Sequence, residues 1–270
     1  MLSITSDYKT STGCPEPYLR RIAEAGFSHV HWCHQWNTDF VYAAPEVAQI
    51  EAWLRDFGLQ LIDLHGSVGP EKNWGSPREH ERLAGVELVA NRIEMAGRLG
   101  GDAAIMHLPG RGEDDPEDAY WERMWRSLDA LAPVARRCGV RIAIENGDFD
   151  AIERVFARYG PDYVGLCYDA GHGNLIADGL DRLERVLDRL VSIHLHDNDG
   201  EGDQHKLLFS GTVDWPRLAS LLARSPYAKP VSMECTMARY EDWEETAFLA
   251  RARETGESFA AMVSQAGRPA

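Results

Sequence analysis

The sequence predicts an α/β fold, a single (β/α)₈ (TIM) barrel covering residues 1–270, and three observations carry that prediction. Short apolar runs alternate with longer charged segments of helical character throughout the chain. Eight such runs occur, at 2–5, 29–33, 59–65, 103–108, 141–146, 163–169, 191–196 and 231–236, or about 34 residues per unit, enough for a strand, a helix and two loops. Strand alternating with helix implies a parallel sheet, and eight units with no GxGxxG after the first strand favour a closed barrel over an open dinucleotide-binding sheet.

Each joint carries its own signal. Ser76-Pro77-Arg78-Glu79 offers an N-cap, a proline for the first turn and a capping-box glutamate. Ala44-Pro45-Glu46 and Asp115-Pro116-Glu117 start helices in the same way. Gly26, Gly58, Gly100, Gly139 and Gly160 each stand just ahead of a strand, where a left-handed helix terminator is wanted. No linker, low-complexity tract or basic tail interrupts the pattern.

The bulk numbers narrow the function. Of 270 residues, 44% are hydrophobic and 26% charged, which suits one large domain. No run approaches the roughly 18 apolar residues of a membrane span, and MLSITSDYKT lacks the basic-then-apolar layout of a secretory signal, so a cytoplasmic protein without membrane attachment is expected. The five cysteines, Cys14, Cys33, Cys138, Cys167 and Cys235, include no CxxC pair and read as small core residues. A formal net charge of −15 without any Lys/Arg-rich cluster repels polyanions, so nucleic acid is not an expected partner. A homo-oligomer is compatible with all of this.

In a closed barrel, the last inward residues of the strands and the loops behind them form one pocket. The two-residue period of a strand puts Ile142 and Ile144 on one face of strand five and Ala143 and Glu145 on the other. The same rule sets Asp169 with Gly165 and Cys167, His194 and His196 with Ser192, and Glu234 with Ser232, all facing inward. Three clustered carboxylates raise one another's pKa unless a counter-charge is present. Glu145, Asp169, His196 and Glu234 are therefore the expected ligands of a divalent cation, of which Mn²⁺, Mg²⁺, Co²⁺ and Zn²⁺ all suit such a donor set. His65, His107, His172, Asp203 and His205 surround this point as candidate substrate contacts, whereas His29, His31, His34 and His80 read as structural. Trp32, Trp36 and Trp74 fall in or beside strand-to-helix loops, where each either packs as a surface or lid residue or offers an apolar face to a ligand.

These segments resemble the sugar-phosphate isomerase/epimerase superfamily with its xylose-isomerase-like barrel. The specific pieces are Ile144-Glu145-Asn146, Tyr168-Asp169-Ala170-Gly171-His172, His194-Leu195-His196-Asp197-Asn198, Asp203-Gln204-His205, Gly211-Thr212-Val213-Asp214-Trp215 and Met233-Glu234. The resemblance implies that Glu145, Asp169, His196 and Glu234 bind the metal, that His172 touches substrate, and that Glu145 and Glu234 also shuttle protons as the catalytic pair. It implies sugar or polyol isomerisation or epimerisation through a metal-stabilised enediolate, with no organic cofactor. Ketose epimerases carry an arginine close behind the strand-seven histidine; here His196-Asp197-Asn198-Asp199-Gly200 has none, and Lys206 is the candidate in its place. Two alternatives share the scaffold: a dehydratase acting on a cyclic polyol, and a multinuclear zinc phosphodiesterase like the apurinic endonucleases. For the second, His65, His107, Glu145, Asp169, His172, His196, Asp203, His205 and Glu234 would all be ligands.

Overall fold

A computed structural model describes residues 1–267. Eight parallel strands, β1 (Leu2–Thr5), β2 (His29–Trp32), β3 (Gln60–His65), β4 (Ala103–Met106), β5 (Arg141–Glu145), β6 (Val164–Asp169), β7 (Leu190–His194) and β8 (Val231–Met233), lie in sequence order around one sheet. β8 pairs with β1, and the ring closes just past the end of β7, where the Leu195 N–H donates to Ser232 O and the Glu234 N–H to Leu195 O, both at 3.0 Å. The predicted (β/α)₈ barrel is therefore the observed one, with each apolar run supplying its strand.

Helices α1 (Glu16–Glu24), α2 (Ala44–Phe57), α3 (Glu79–Leu99), α4 (Glu117–Cys138), α5 (Phe149–Arg158), α6 (Ala170–Asn174), α7 (Gly179–Arg185), α8 (Trp215–Arg224) and α9 (Glu245–Ala266) cover the outside. The Glu46 carboxylate accepts from the Ala43 N–H at 2.7 Å, and α4 follows Pro116, both as expected. The start of α3 differs. That helix begins only at Glu79, and the Ser76 hydroxyl donates to Glu81 (2.7 Å) while accepting from the Arg78 N–H, so Ser76 and Pro77 belong to the preceding turn. Gly58, Gly100 and Gly139 are left-handed helix terminators, but α5 ends on an extended Tyr159 and Gly160 has no positive φ.

Alternation along the strands separates two apolar layers. Ile142, Ile144, Leu166, Tyr168, Ile193 and Leu195 join the large core between sheet and helices, whereas Ala103, Ile105, Ala143, Cys167 and Val191 form a small cluster of their own. Val191 breaks the simple period. Leu166 pairs with Leu190 and Cys167 with Ser192, so Val191 is an extra residue that packs against Gly165, where any Cβ would meet its Cγ2 at 2.1 Å. A second irregularity makes Ile62 the extra residue between Leu61 and Asp63, and it brings His31 and Asp63 side by side. Among the cysteines, Cys33, Cys167 and Cys235 are buried as expected, but Cys14 is exposed. No helix among the described residues is long and apolar enough to cross a membrane.

Candidate metal centre

The strand ends deliver their acids to one place because short side-chain braces lock the backbone there. Asn146, directly after Glu145, donates through Nδ2 to Asp169 O (3.0 Å) and accepts from the Asp169 N–H (2.5 Å), clamping the ends of β5 and β6 together. Asp169 Oδ1 accepts from the His172 N–H at 2.7 Å and so starts α6, while Asn198 Nδ2 donates to Gly171 O at 2.8 Å. Asp197 accepts from Trp215 Nε1 at 2.9 Å and from the N–H groups of Asn198 and Val213, which ties the loop after β7 to the start of α8. His205 stands in left-handed backbone (φ 45°) and its Nδ1–H donates to Glu234 O at 2.7 Å, fixing the residue after β8.

The acids and imidazoles form one continuous cluster. His194 Nδ1 lies 3.1 Å from Glu234 Oε2 and 3.5 Å from Glu145 Oε1, so the two glutamates flank one point. His196 Nε2 is 3.1 Å from Asp169 Oδ1, and atoms of His196, His205 and Glu234 lie within 4.8 Å of one another. His65 and His107 approach Glu145 Oε2 at 3.2 and 3.4 Å, and His172 bridges Glu145 (3.2 Å) and Asp203 (3.4 Å). Glu145, Asp169, His196 and Glu234 are buried, whereas His107, His172, Asp203 and His205 line the half-open rim. The Lys206 ammonium pairs with Asp199 at 3.6 Å. Trp36 lies over His65 with ring centroids 4.9 Å apart, but Trp32 and Trp74 are buried in the core and present no face to the pocket.

Burial by itself pushes the Glu145 carboxyl upward, yet His107, His194 and His172 outweigh it and hold the group well below the usual range. Glu234 is likewise held low, by His194 and His205, and Asp169 by His196 and His172. Asp169 drives the His172 imidazole up to about 12. Burial opposes protonation of His205, but Asp203, Glu234 and Asp169 bring it up to about 10. The pocket thus holds ionised carboxylates beside imidazoles of opposite tendency: His172 and His205 bind a proton strongly, whereas burial lowers the pKa of His107.

Several of these atoms lack directed partners. Glu145 Oε2, Asp169 Oδ2 and both ring nitrogens of His196 and His194 are buried without a hydrogen bond. Orphaned atoms of this kind, converging from the ends of β5, β6 and β7, are a donor set of carboxylate oxygens and imidazole nitrogens that fits a divalent cation.

Strand two adds residues that read as structural from the sequence alone. His31 Nε2 lies 2.8 Å from Cys33 Sγ and 3.7 Å from Glu234 Oε1, and its Nδ1 lies 2.7 Å from Asp63 Oδ1. The alternation that selected Glu145 also puts His31 and Cys33 inward, opposite Val30 and Trp32, and places Asp63 on the face of His65.

The family model for xylose isomerase-like TIM barrels matches residues 19–262. The uncharacterized protein y4fM of Sinorhizobium fredii is 33% identical over 252 residues, covering 82% of this chain and 81% of its own length. A probable endonuclease 4 of Mycobacterium bovis is 26% identical over 194 residues, or 66% of this chain and 73% of its own. Among solved structures, a D-tagatose 3-epimerase-like protein superposes with a TM-score of 0.80 at 16% identity, covering 98% of both chains, which is a likeness of fold. By the extent of the family match and the identity to its relative, this chain belongs to the xylose isomerase-like TIM-barrel family.

Proposed function

We propose that this chain is a divalent-metal-dependent sugar or polyol isomerase or epimerase that moves a proton between two opposed glutamates. The observation that carries the reading is the placement of Glu145 and Glu234, both buried, ionised and within 3.5 Å of the same His194 nitrogen. Glu145, Asp169, His196 and Glu234 would hold the cation, consistent with the orphaned buried atoms of the first three and with Glu234 lying within 4.8 Å of a His196 nitrogen. When bound, such a cation acts as a Lewis acid that stabilises negative charge on substrate oxygens. The glutamate that is ionised in the substrate complex takes the proton from the carbon next to a carbonyl. The other, having first picked up a proton from solvent or substrate, gives it to the opposite face or the neighbouring carbon, the roles exchanging in the reverse direction. His172, protonated under the influence of Asp169, donates to a substrate oxygen, and Trp36 supplies an apolar wall. The epimerase-like structural neighbour supports a sugar substrate.

The exchange of substrate hydrogen with solvent tests this. With the cation-loaded protein and a panel of ketoses and inososes in deuterated water, Glu145→Gln and Glu234→Gln are each expected to lose exchange by roughly two to four orders of magnitude while the melting profile is retained. Exchange persisting in both variants would end the proposal.

A second reading rests on its own observation. His65, His107 and Glu145 offer ligand atoms within 4.8 Å of one another, and Asp203 lies 3.2 Å from His205, so further cations of a phosphodiesterase centre have ligands. The resemblance to a probable endonuclease 4 points the same way.

A further inference from the structure

Beneath the acids lies a second, nitrogen-rich cluster. His31, His65, His194 and Glu234 each offer a ligand atom, and these atoms lie within 4.8 Å of one another. All four side chains are buried, with His31 and His194 wholly inaccessible. We infer that this cluster is a distinct binding site for a borderline cation, Zn²⁺ or Co²⁺ in chemistry, sharing only Glu234 with the site proposed above.

Two independent features point to a ligand here. The first is His194, wholly buried, whose Nδ1 stands between the Glu234 and Glu145 carboxylates at 3.1 and 3.5 Å without hydrogen-bond geometry to either and whose Nε2 has no hydrogen bond. A buried histidine kept only for packing would make a well-aligned hydrogen bond through at least one nitrogen. The second is the orientation of His31. Its Nδ1 faces the Asp63 carboxylate at 2.7 Å, and Asp63 is itself held by the Ser192 hydroxyl and by Lys229 Nζ at 3.4 Å. Lys229 is anchored in turn by Asp102 at 2.6 Å. Donation from Nδ1–H to that carboxylate leaves the Nε2 lone pair facing Cys33 Sγ at 2.8 Å and Glu234 Oε1 at 3.7 Å. A cation there would take the place of the Cys33 thiol contact, with the imidazole oriented through its other nitrogen as metal-binding imidazoles generally are. Bonds near 2 Å separate ligand atoms by at most about 4 Å, so small inward shifts close the set.

The two sites differ in chemistry. Three imidazoles and one carboxylate favour Zn²⁺ or Co²⁺ over Mg²⁺, whereas Glu145, Asp169, Glu234 and a single His196 accept harder cations. The upper site then exchanges Mg²⁺ or Mn²⁺ while the lower one retains its metal.

The test uses the full chain stripped by chelator, reloaded with Zn²⁺, freed of excess metal and analysed for zinc per chain. His31→Gln is expected to hold one zinc fewer than the parent, and Asp169→Asn to lose a different one, with circular dichroism confirming the fold of each. Equal zinc content in His31→Gln and the parent overturns the inference whatever Asp169→Asn does. An unchanged content in Asp169→Asn instead counts against the function proposed above and leaves this site standing on the His31 result. Should His31→Gln fail to fold, Co²⁺ titration of the parent decides. Intense visible absorption from a four-coordinate, imidazole-rich ion supports the site, and weak six-coordinate bands alone overturn it.

Discussion

Gly171 shows how tightly single residues control the centre. A Cβ at this position would stand 1.9 Å from His196 Cε1, inside any tolerable contact, so only hydrogen fits beneath the imidazole. Gly171→Ala is therefore expected to swing His196 away from Asp169 and weaken cation binding roughly tenfold or more, with little effect on the fold. Competition against a fluorescent chelator measures this, and unchanged affinity would show that His196 is not held by this contact. His205 makes a pH-dependent contribution of its own. Its folded pKa of about 10 lies above the usual imidazole value because Asp203, Glu234 and Asp169 outweigh burial. The folded protein thus keeps a proton that the unfolded chain releases near pH 6.5. That stability is complete below about pH 6.5 and disappears as pH rises towards 10. Melting temperatures of the chelated protein should fall across this window, and His205→Gln should flatten the fall. An equal slope in both proteins would remove His205 from the account.

At the level of elements, much was legible in the sequence because two simple periods govern it. Every apolar run became a strand, and alternation correctly turned Glu145, Asp169, His196 and Glu234 inward. The same rule applied to strand two turns His31 and Cys33 inward, but His31 lacks the collective argument that the other strand ends share and Cys33 reads as a small core residue, so the sequence alone does not single them out. What alternation cannot give is the bulge. Val191 and Ile62 are extra residues whose presence depends on the neighbouring strand, and the His31–Asp63 pair follows from that register rather than from either strand alone. The aromatic reading failed for a similar reason. Trp32 lies on the outward face of its strand and bonds Tyr42, while Trp74 is enclosed by neighbouring elements, so proximity to a loop did not decide exposure. Asp197, quoted in the sequence only as part of a motif, turns out to join two elements. Asp197→Ala would leave Trp215 Nε1 and two backbone N–H groups without their acceptor. A loss of roughly 3 kcal/mol is expected, measurable by urea unfolding, and a loss under about 0.5 kcal/mol would mean that water replaces the carboxylate.

Charge over the whole molecule weighs against the phosphodiesterase reading. Forty-three acidic residues against 28 basic ones leave the chain at −15, and even three bound divalent cations leave the balance negative. Local arrangement does not reverse this near the mouth of the barrel. Lys206 pairs with Asp199, Lys9 with Glu245, and the Arg111 guanidinium donates to Asp115 O at 2.6 Å, so these three cations are already committed. Association with DNA draws its affinity from replacing condensed counterions by lysine and arginine, and a surface of the opposite sign raises the encounter barrier most at low salt, where screening extends beyond about 10 Å. Duplex DNA bearing an abasic site is thus expected to show no fluorescence-anisotropy change with the zinc-loaded protein, at low or at physiological ionic strength, and no strand incision. Chelator-sensitive incision at the abasic site would overturn the isomerase reading in favour of the phosphodiesterase. Binding without incision would instead reveal a basic surface in solution that these pairings do not provide.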